Sequence, residues 1–564
     1  MSHAPVGVGY SRFGVSAGAS SRIPDERKAA TVVAGGDREL DGGMGGDEAI
    51  EVGTGPLAPA EVLAVARHGA GVTLSDEALA SMTSGRRVVE ALAAAPTPTY
   101  GISTGFGALA TRHIPTEMRA TLQRSLVRSH AAGSGPEVER EVVRALMLLR
   151  LSTLATGHTG IRPETACLLA DLLSNGITPV VREFGSLGCS GDLAPLAHCA
   201  LALMGEGEVR DRSGHLRPAA DALAAAGLAP VELEAKEGLA LINGTDGMLG
   251  MLVLAVADLR MLLGTADIAA AMSVEGQLGT DRVFAAELQA LRPQVGQGKS
   301  AANLVALLRD SGIVASHRGP ECNRVQDAYS LRCSPQVHGA ARDTVEHAAV
   351  VAGRELASAV DNPVVVGDRV ESNGNFHGAP VGYVLDFLAI VAADVASISE
   401  RRTDRFLDRA RSHGLPPFLA ADPGVDSGHM IAQYTQAAIV SELKRLAVPA
   451  SVDSIPSSAM QEDHVSMGWS AARKLRRSVD GLARVVAVEV LTAARALDLR
   501  TTTGPTKGTA PSPATGAVVA LLRSSGVPGP GPDRYLSPEI ETVVSLVQSG
   551  AVLAAAESVI GELA

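Results

Sequence analysis

The sequence predicts an all-α fold, a large single-chain structure with a central bundle of long helices. Three observations support this class. Apolar residues recur at helical spacing over long segments, several of them near or above about 25 residues. Hydrophobic residues make up 46% of the 564 residues but aromatic residues only 3%, so the core must consist of small aliphatic side chains that suit closely packed helices. Strand signals, such as TPVV and NPVVV, are short and scattered.

The first part of the chain divides near Ala49. Residues 1–48 are rich in Gly, Ser, Asp and Arg without periodicity, which predicts a disordered leader. Met44 lies near its end, so an upstream start codon is an alternative to a functional tail. Beyond it, AIEVGTGPL is typical of a strand, and PAEVLAVARHG of a helix that stops at Gly69.

Helical patterns then dominate to the C-terminus. MRATLQRSLVRSHAAG, VEREVVRALMLLRLSTLATG and ETACLLADLLSNG each predict a helix closed by glycine. Further helices are predicted over 245–274, 337–360, 378–412, 427–447, 468–498 and 536–562. No period of about 20–50 residues repeats. We therefore expect 49–564 to form one catalytic unit, with an N-terminal region to about residue 240 followed by the central bundle and C-terminal helices. Helices this long suggest a bundle shared between subunits.

Composition narrows the environment and the partners. A net charge of −12 argues against nucleic acid or an anionic membrane as the main partner. The five cysteines show neither CxxC pairing nor metal-ligand spacing, so we expect no disulfide framework and no metal site. The start of the chain lacks the features of a signal peptide. The most apolar helical stretch, Gly247 to Ala257, meets Asp258 and Arg260 too soon for a membrane span. These features predict a cytoplasmic protein.

One glycine-rich segment points to chemistry. It reads GSLGCSGDLAPLAH from Gly185, a turn into a helix with Asp192 near the helix N-terminus, where a carboxylate is favoured. If the turn is compressed, the nitrogen of Gly191 can attack the carbonyl carbon of Cys189 and close a five-membered ring. Glycine suits the attacking position because it lacks a Cβ. Loss of the Ser190 hydroxyl then leaves a methylidene conjugated to the ring, which is a strong electrophile.

The segment resembles the aromatic amino acid ammonia-lyase family, whose members form this 4-methylidene-imidazol-5-one (MIO) group. The family's usual triplet is Ala-Ser-Gly, so Cys189 is a departure. We expect it to be harmless, because the first residue contributes its backbone to the ring and its side chain remains a substituent. Whether the thiol is free or modified stays open. The resemblance implies no metal and no diffusible cofactor.

Five further segments resemble the family's motifs and occur in family order. They are YGISTGFG with Tyr100, NGT with Asn243, QDAYSLR with Gln326, Tyr329 and Arg332, NGNFHG with Phe376, and QEDHVSM with Glu462. The resemblance implies that Tyr100 is the general base for the β-hydrogen and that Arg332 pairs with the substrate carboxylate. It also implies that Asn243 and Tyr329 position the amine and polarise the MIO oxygen. Phe376 would pack beside the MIO.

The substrate class depends on two positions. Ser129-His130 lies where phenylalanine- and tyrosine-directed relatives place a hydrophobic residue, and a polar pair resembles the histidine-directed branch. Glu462 can hold an imidazole N–H through a charge-assisted hydrogen bond. Facing a phenyl ring, the same carboxylate would be buried and unpaired at a cost of at least about 1–3 kcal/mol. We therefore expect His130, Gln326 and Glu462 to shape the imidazole end of the site.

The resemblance implies conversion of L-histidine to trans-urocanate and ammonia in a homotetramer of dihedral symmetry, with active sites built from several subunits. Attachment of the substrate through its amine and attachment through its ring carbon both stay open. The closest alternative is a phenylalanine or tyrosine ammonia-lyase, or a related 2,3-aminomutase. An inactive helical scaffold without MIO is the alternative from another class. A fumarase-type lyase would need a GSSxMPxK-like loop, which DSIPSSAMQEDH does not match.

Overall fold

The computed structural model of the chain describes residues 49–105, 107–319, 322 and 325–564. The predicted leader, residues 1–48, lies outside the described residues. The described part from Ala49 onward belongs to one unit. Long helices fill it, and its strands form four sheets of two or three short strands, so the all-α class is confirmed.

The N-terminal region, up to Ile242, combines short strands with helices of moderate length. Its helices are α1 (Pro59–Ala66), α2 (Asp76–Ala94), α3 (Arg119–His130), α4 (Arg140–Ala155), α5 (Pro163–Ser174), α6 (Leu193–Leu203), α7 (Ala219–Ala225) and α8 (Glu237–Ile242). Its strands are β1 (Ile50–Val52), β2 (Val72–Leu74), β3 (Ser134–Glu137), β4 (Thr178–Pro179), β5 (Arg182–Phe184), β6 (Glu208–Arg210) and β7 (Leu216–Pro218). β1 and β2 pair in parallel, whereas β3–β5 and β4–β6–β7 are antiparallel.

The rest of the chain supplies the bundle. Its helices are α9 (Asp246–Gly276), α10 (Ala286–Ala290), α11 (Val295–Leu307), α12 (Gly312–Ala315), α13 (Tyr329–Arg332), α14 (Ser334–Leu356), α15 (Ala379–Leu407), α16 (Met430–Leu446), α17 (Gly468–Thr502), α18 (Pro513–Ser524), α19 (Ser537–Gln548) and α20 (Ala551–Ile560). Strands β8 (Val364–Val366) and β9 (Arg369–Glu371) form an antiparallel hairpin. Helices α9, α14, α15 and α17 pack against one another and form the bundle.

The prediction of one helix over 536–562 was wrong. Gly550 has φ of +77°, and the chain turns there, so that α19 and α20 meet at an angle of 61°. A glycine within an apolar helical pattern is also compatible with a continuous helix, which is why the pattern alone did not show the break.

Small residues allow the bundle helices to approach closely, as the composition predicted. A Cβ added at Gly250 of α9 would lie only 2.9 Å from the Cβ of Ala145 in α4. A Cβ at Gly276 would lie 2.7 Å from the ring of Phe406 in α15. Larger side chains at these positions would push the helices apart, since protein interiors are close-packed.

Helices α9 and α15 are long and apolar enough to cross a membrane by length and composition alone. The expectation that Asp258 and Arg260 come too soon for a stretch of membrane-spanning length was therefore wrong, because α9 contains an 18-residue window with a mean hydropathy of 1.7. However, 78% of the most apolar window of α9 and 72% of that of α15 are buried within the protein. A helix that is hydrophobic on all sides is typical of the core of a large protein as well as of a membrane span.

A buried ion pair links three bundle helices. Arg402 of α15 and Glu489 of α17 form a two-pronged salt bridge, with N···O distances of 2.5 and 2.9 Å, and both side chains are fully buried. The Glu489 carboxylate also accepts hydrogen bonds from Ser273 of α9 and Ser399 of α15, each at 2.6 Å. These partners satisfy a charge that would otherwise be costly to bury.

Arg402→Met tests this pair, because it keeps the aliphatic stem and leaves the Glu489 carboxylate buried without its cation. We expect the free energy of unfolding to fall by about 3–5 kcal/mol, measured by chemical denaturation. Arg369→Met, in an exposed pair with Glu371, is the control and should cost at most about 1 kcal/mol. Equal effects in the two variants would show that the buried pair does not contribute as described.

Candidate active site

The turn Cys189–Gly191 is pressed against a second turn that contains Gly244. Gly191 has φ of +71°, and a Cβ added there would lie 1.9 Å from the carbonyl oxygen of Gly244. The next backbone nitrogen, of Asp192, donates a hydrogen bond to the same oxygen at 2.7 Å. Only glycine can occupy position 191 in this arrangement. The close contact thus explains why the third residue of the triplet is glycine.

The Asp192 carboxylate fastens the turn to the start of α9. Asp192 precedes α6, but its side chain forms no cap with that helix. Instead it accepts hydrogen bonds from the backbone nitrogen of Met248 and the hydroxyl of Ser186, both at 2.9 Å. Burial raises the pKa of this carboxyl group to about 7. The sequence predicted that this carboxylate would interact with the N-terminus of α6, the helix that follows it. In the structure the carboxylate instead binds the N-terminus of α9.

Two other segments contact Gly188, directly before the turn. The carbonyl oxygen of Gly188 accepts hydrogen bonds from the hydroxyl of Ser466 at 2.7 Å and from the nitrogen of Gly378 at 3.2 Å. The second bond brings the NGNFHG loop, with half-buried Phe376, up to the turn. His377 of this loop stacks on His464, and their Nε2 and Nδ1 atoms lie 3.2 Å apart. The two predicted motifs are therefore neighbours.

Glu462 contacts the triplet directly. The thiol of Cys189 donates a hydrogen bond to Oε2 of Glu462 at 3.0 Å, and the hydroxyl of Ser457 donates to the same oxygen at 3.0 Å. Burial, together with the nearby carboxylate, raises the pKa of the Cys189 thiol to about 12, so the thiol is protonated and able to donate. It forms no disulfide. Sequence reasoning missed Ser457, which reaches the carboxylate only because residues 457 and 462 pair across a short loop.

His130 lies at the end of α3 as a neutral imidazole near Glu462. Its Nδ1 donates a hydrogen bond to the carbonyl oxygen of Leu126 at 2.9 Å, which leaves Nε2 as an acceptor. Burial lowers the pKa of His130, and the charge of Glu462 only partly opposes this shift. The hydroxyl of Ser129 is 3.1 Å from Nδ1 and contributes to the orientation of the ring. This end of the site therefore offers one carboxylate and one neutral acceptor.

Asn243 lies beside the Gly191 contact with one free polar atom. Its Nδ2 donates a hydrogen bond to the carbonyl oxygen of Asn362 at 2.9 Å. Its Oδ1 is buried and has no hydrogen-bond partner among the described residues. Arg150 holds the Asn243 carbonyl oxygen at 2.7 Å. No local sequence signal pointed to Arg150 or Asn362, because both approach from distant parts of the chain.

The Tyr100 loop lies next to the segment that carries Glu462. Tyr100 is half-buried, and its hydroxyl oxygen accepts a hydrogen bond from the nitrogen of Gly107 at 3.4 Å. A Cβ at Gly107 would lie 3.2 Å from the hydroxyl of Ser458. Fully buried Ile102 anchors the loop in a small apolar cluster. Phe106, in the same motif, lies outside the described residues.

The third group of predicted residues lies apart. Gln326 and Tyr329 are exposed, and the Arg332 guanidinium lies 4.6 Å from the centre of the Tyr329 ring. In the described part of the chain they lie near the C-terminal end of α9, because the carbonyl oxygen of Ser330 accepts a hydrogen bond from Arg402, and Gln277, directly after α9, donates one to the carbonyl oxygen of Arg402. One chain thus assembles part of the predicted site at the start of α9 and holds the remaining part near the other end of this helix.

Gly191→Ala tests whether the compressed turn builds the electrophile. The added Cβ cannot coexist with the Gly244 carbonyl oxygen, so we expect the variant chain to keep the full mass encoded by its sequence, whereas the parent loses two waters. Gly207→Ala is the matched control, because Gly207 has a similar φ of +76° but open space around its Cβ position, with nothing nearer than 3.7 Å. Intact-mass spectrometry reads the outcome. A Gly191→Ala chain lighter by two waters would refute this role of the contact.

Sequence comparison places these features in a known family. The model of the family described as aromatic amino acid lyase matches residues 57–524. The histidine ammonia-lyase of Streptomyces griseus is 67% identical over 516 residues, which cover 91% of this chain and 99% of the relative. That of Gloeobacter violaceus is 49% identical over 509 residues, which cover 90% of this chain and 97% of the relative.

Solved structures share the fold. A histidine ammonia-lyase from Trypanosoma cruzi superposes with a TM-score of 0.82 at 37% identity, covering 91% of this chain and 96% of the other. A tyrosine aminomutase from Streptomyces globisporus superposes with a TM-score of 0.85 at 38% identity, covering 92% of this chain and 100% of the other. Structural similarity alone therefore does not separate the histidine-directed from the tyrosine-directed chemistry, whereas the sequence relatives favour histidine.

Proposed function

This chain belongs to the aromatic amino acid lyase family, and from that premise we propose that it is a carbon–nitrogen lyase that converts L-histidine to trans-urocanate and ammonia. The assignment of L-histidine as substrate rests on the Glu462 carboxylate, which lies against the triplet and beside a neutral His130. A carboxylate and a neutral acceptor can both receive imidazole N–H donors. A phenyl ring offers no hydrogen-bond donor to either of these half-buried groups, whereas an imidazole always carries at least one N–H.

We infer that Cys189, Ser190 and Gly191 form the MIO group. The backbone fits, because Gly191 has the positive φ and the close contact that only glycine tolerates, and because the unpartnered Oδ1 of Asn243 lies beside the turn. Once formed, the group would supply an electrophile that turns the substrate's amine into a better leaving group. The half-buried Ser190 would lose its hydroxyl in forming it.

The chain's own side chains would orient the substrate. Because Nδ2 of Asn243 is occupied by Asn362, its free Oδ1 is suited to accept a hydrogen bond from the substrate amine. Tyr100 would remove the β-hydrogen as general base. Arg332 would pair with the substrate carboxylate through its planar guanidinium, and Tyr329 would assist at the electrophile.

We propose that Gln326, Tyr329 and Arg332 reach the site from a neighbouring subunit of a homotetramer with dihedral symmetry. The exposure of Tyr329, 72% in the single chain, and its separation from the triplet support this arrangement. A cytoplasmic location is proposed as well. It is supported by the net charge, by the free cysteines and by the burial of the apolar surfaces of α9 and α15 within the protein.

Ser190→Ala tests the electrophile. Without the hydroxyl no methylidene can form, although the turn and its hydrogen bonds are preserved. We expect activity to be lost while the oligomer and the thermal unfolding midpoint stay close to those of the parent, as measured by urocanate absorbance, size-exclusion chromatography and calorimetry. Full activity in this variant would contradict the MIO assignment. Activity absent from the parent as well would favour the inactive scaffold.

Glu462→Gln and His130→Leu test the substrate. Glu462→Gln keeps the shape but removes the charge from a hydrogen bond worth about 1.5–3 kcal/mol, so kcat/KM for L-histidine should fall by about one to two orders of magnitude. His130→Leu should also lower it, because leucine offers no acceptor. Arg332→Lys, which affects a carboxylate common to all amino acids, should impair every substrate alike. If only Arg332→Lys reduced histidine turnover, the chemistry would stand and histidine would be rejected.

A further inference from the structure

We propose that the Cys189 thiol is a positioning residue that holds Glu462 ready for the substrate's imidazole, so that the triplet itself contributes to substrate selection. This inference rests on the proposed function. It concerns the first residue of the triplet, where the family's usual residue is alanine.

The geometry of Glu462 separates its two oxygens. Oε2 accepts hydrogen bonds from the Cys189 thiol and the Ser457 hydroxyl, both at 3.0 Å. Oε1 accepts no hydrogen bond from a described residue, so it is available to a ligand. Two donors on one oxygen restrict the rotation of the carboxylate, and a group that is fixed before binding loses less entropy on binding. Alanine at position 189 would leave Ser457 as the sole side-chain donor to Oε2.

The thiol survives the formation of the electrophile. Ring closure joins the Gly191 nitrogen to the Cys189 carbonyl carbon, and the carbonyl oxygen leaves as water with the N–H hydrogens of Gly191 and Ser190. The second water takes the hydroxyl and the α-hydrogen of Ser190. Neither step touches the Cβ–Sγ bond of Cys189, so the thiol remains attached next to the ring. Burial keeps it protonated, and it therefore remains a donor over the pH range of an enzyme assay.

This arrangement links two ends of the site through one residue. The backbone of Cys189 belongs to the group that would activate the amine, and its side chain holds the carboxylate that would bind the imidazole. One side chain and one hydrogen bond therefore connect the group that would activate the amine directly to the carboxylate that would bind the imidazole. A substrate whose ring cannot donate to Glu462 gains nothing from this link.

The test measures binding without turnover in the full-length protein. Titration calorimetry compares the affinity for L-histidine of three proteins that all carry Ser190→Ala. One keeps Cys189, and the other two also carry Cys189→Ala or Cys189→Ser. Because a thiol is a weak donor, we expect Cys189→Ala to weaken binding by about 3- to 10-fold, and Cys189→Ser, which restores an O–H donor, to recover most of the loss. L-Alanine, which has the amine and carboxylate but no ring, should bind equally to all three proteins.

Two controls isolate the contact. Cys167→Ala removes a half-buried thiol from α5, away from the triplet, and should leave histidine affinity unchanged. In a Glu462→Ala background, Cys189→Ala should cause no further loss, because its partner is gone. With Ser190 intact, both position-189 variants should still lose two waters by mass, which shows that the electrophile forms.

Unchanged or tighter histidine binding in Cys189→Ala would overturn the inference, as would an equal loss with and without Glu462. Failure of the proposed function looks different, since the parent enzyme itself would then produce no urocanate from L-histidine. If the parent turns over L-histidine and the Cys189 variants bind it as tightly as the parent, only the positioning role is refuted.

Discussion

The contact between Gly191 and the carbonyl oxygen of Gly244 is the constraint on which the site depends. It holds the triplet against Gly244, and the nitrogen and carboxylate of Asp192 bind the same turn to Gly244 and to the start of α9. Because α9 runs through the centre of the bundle, the whole helical core holds this turn in place. The long helices thus have a chemical consequence, because they hold the two turns in this close backbone contact.

The sequence predicted the fold well where a pattern was long. The bundle helices were recognised because apolar residues repeat over many turns, and α9, α15 and α17 begin within a few residues of the predicted positions. The prediction failed where a single residue determines the course or the contacts of the chain. Gly550 breaks a predicted helix, and the carboxylate of Asp192 caps a helix distant in sequence, which no local pattern encodes.

The candidate site, like the fold, could be predicted only in part from the sequence. Motifs identified Cys189, Glu462, His130 and Asn243, which the structure brings together. Their supporting partners could not be predicted, because Ser457 depends on loop closure and Asn362 on contacts between distant segments. Gln326, Tyr329 and Arg332 remain predictions, since one chain does not bring them to the triplet. The roles of Asn243 at the substrate amine and at the MIO oxygen also remain predictions; its buried side-chain atom without a partner among the described residues is the acceptor Oδ1.

We propose that a carboxylate and a neutral imidazole, held beside a backbone-derived electrophile, select L-histidine. The most direct measurement incubates the purified parent protein separately with L-histidine, L-phenylalanine and L-tyrosine and follows the ultraviolet absorbance of each conjugated product. We expect rapid formation of urocanate from L-histidine and little or no product from the other two amino acids. Comparable or faster formation of cinnamate or coumarate would contradict it.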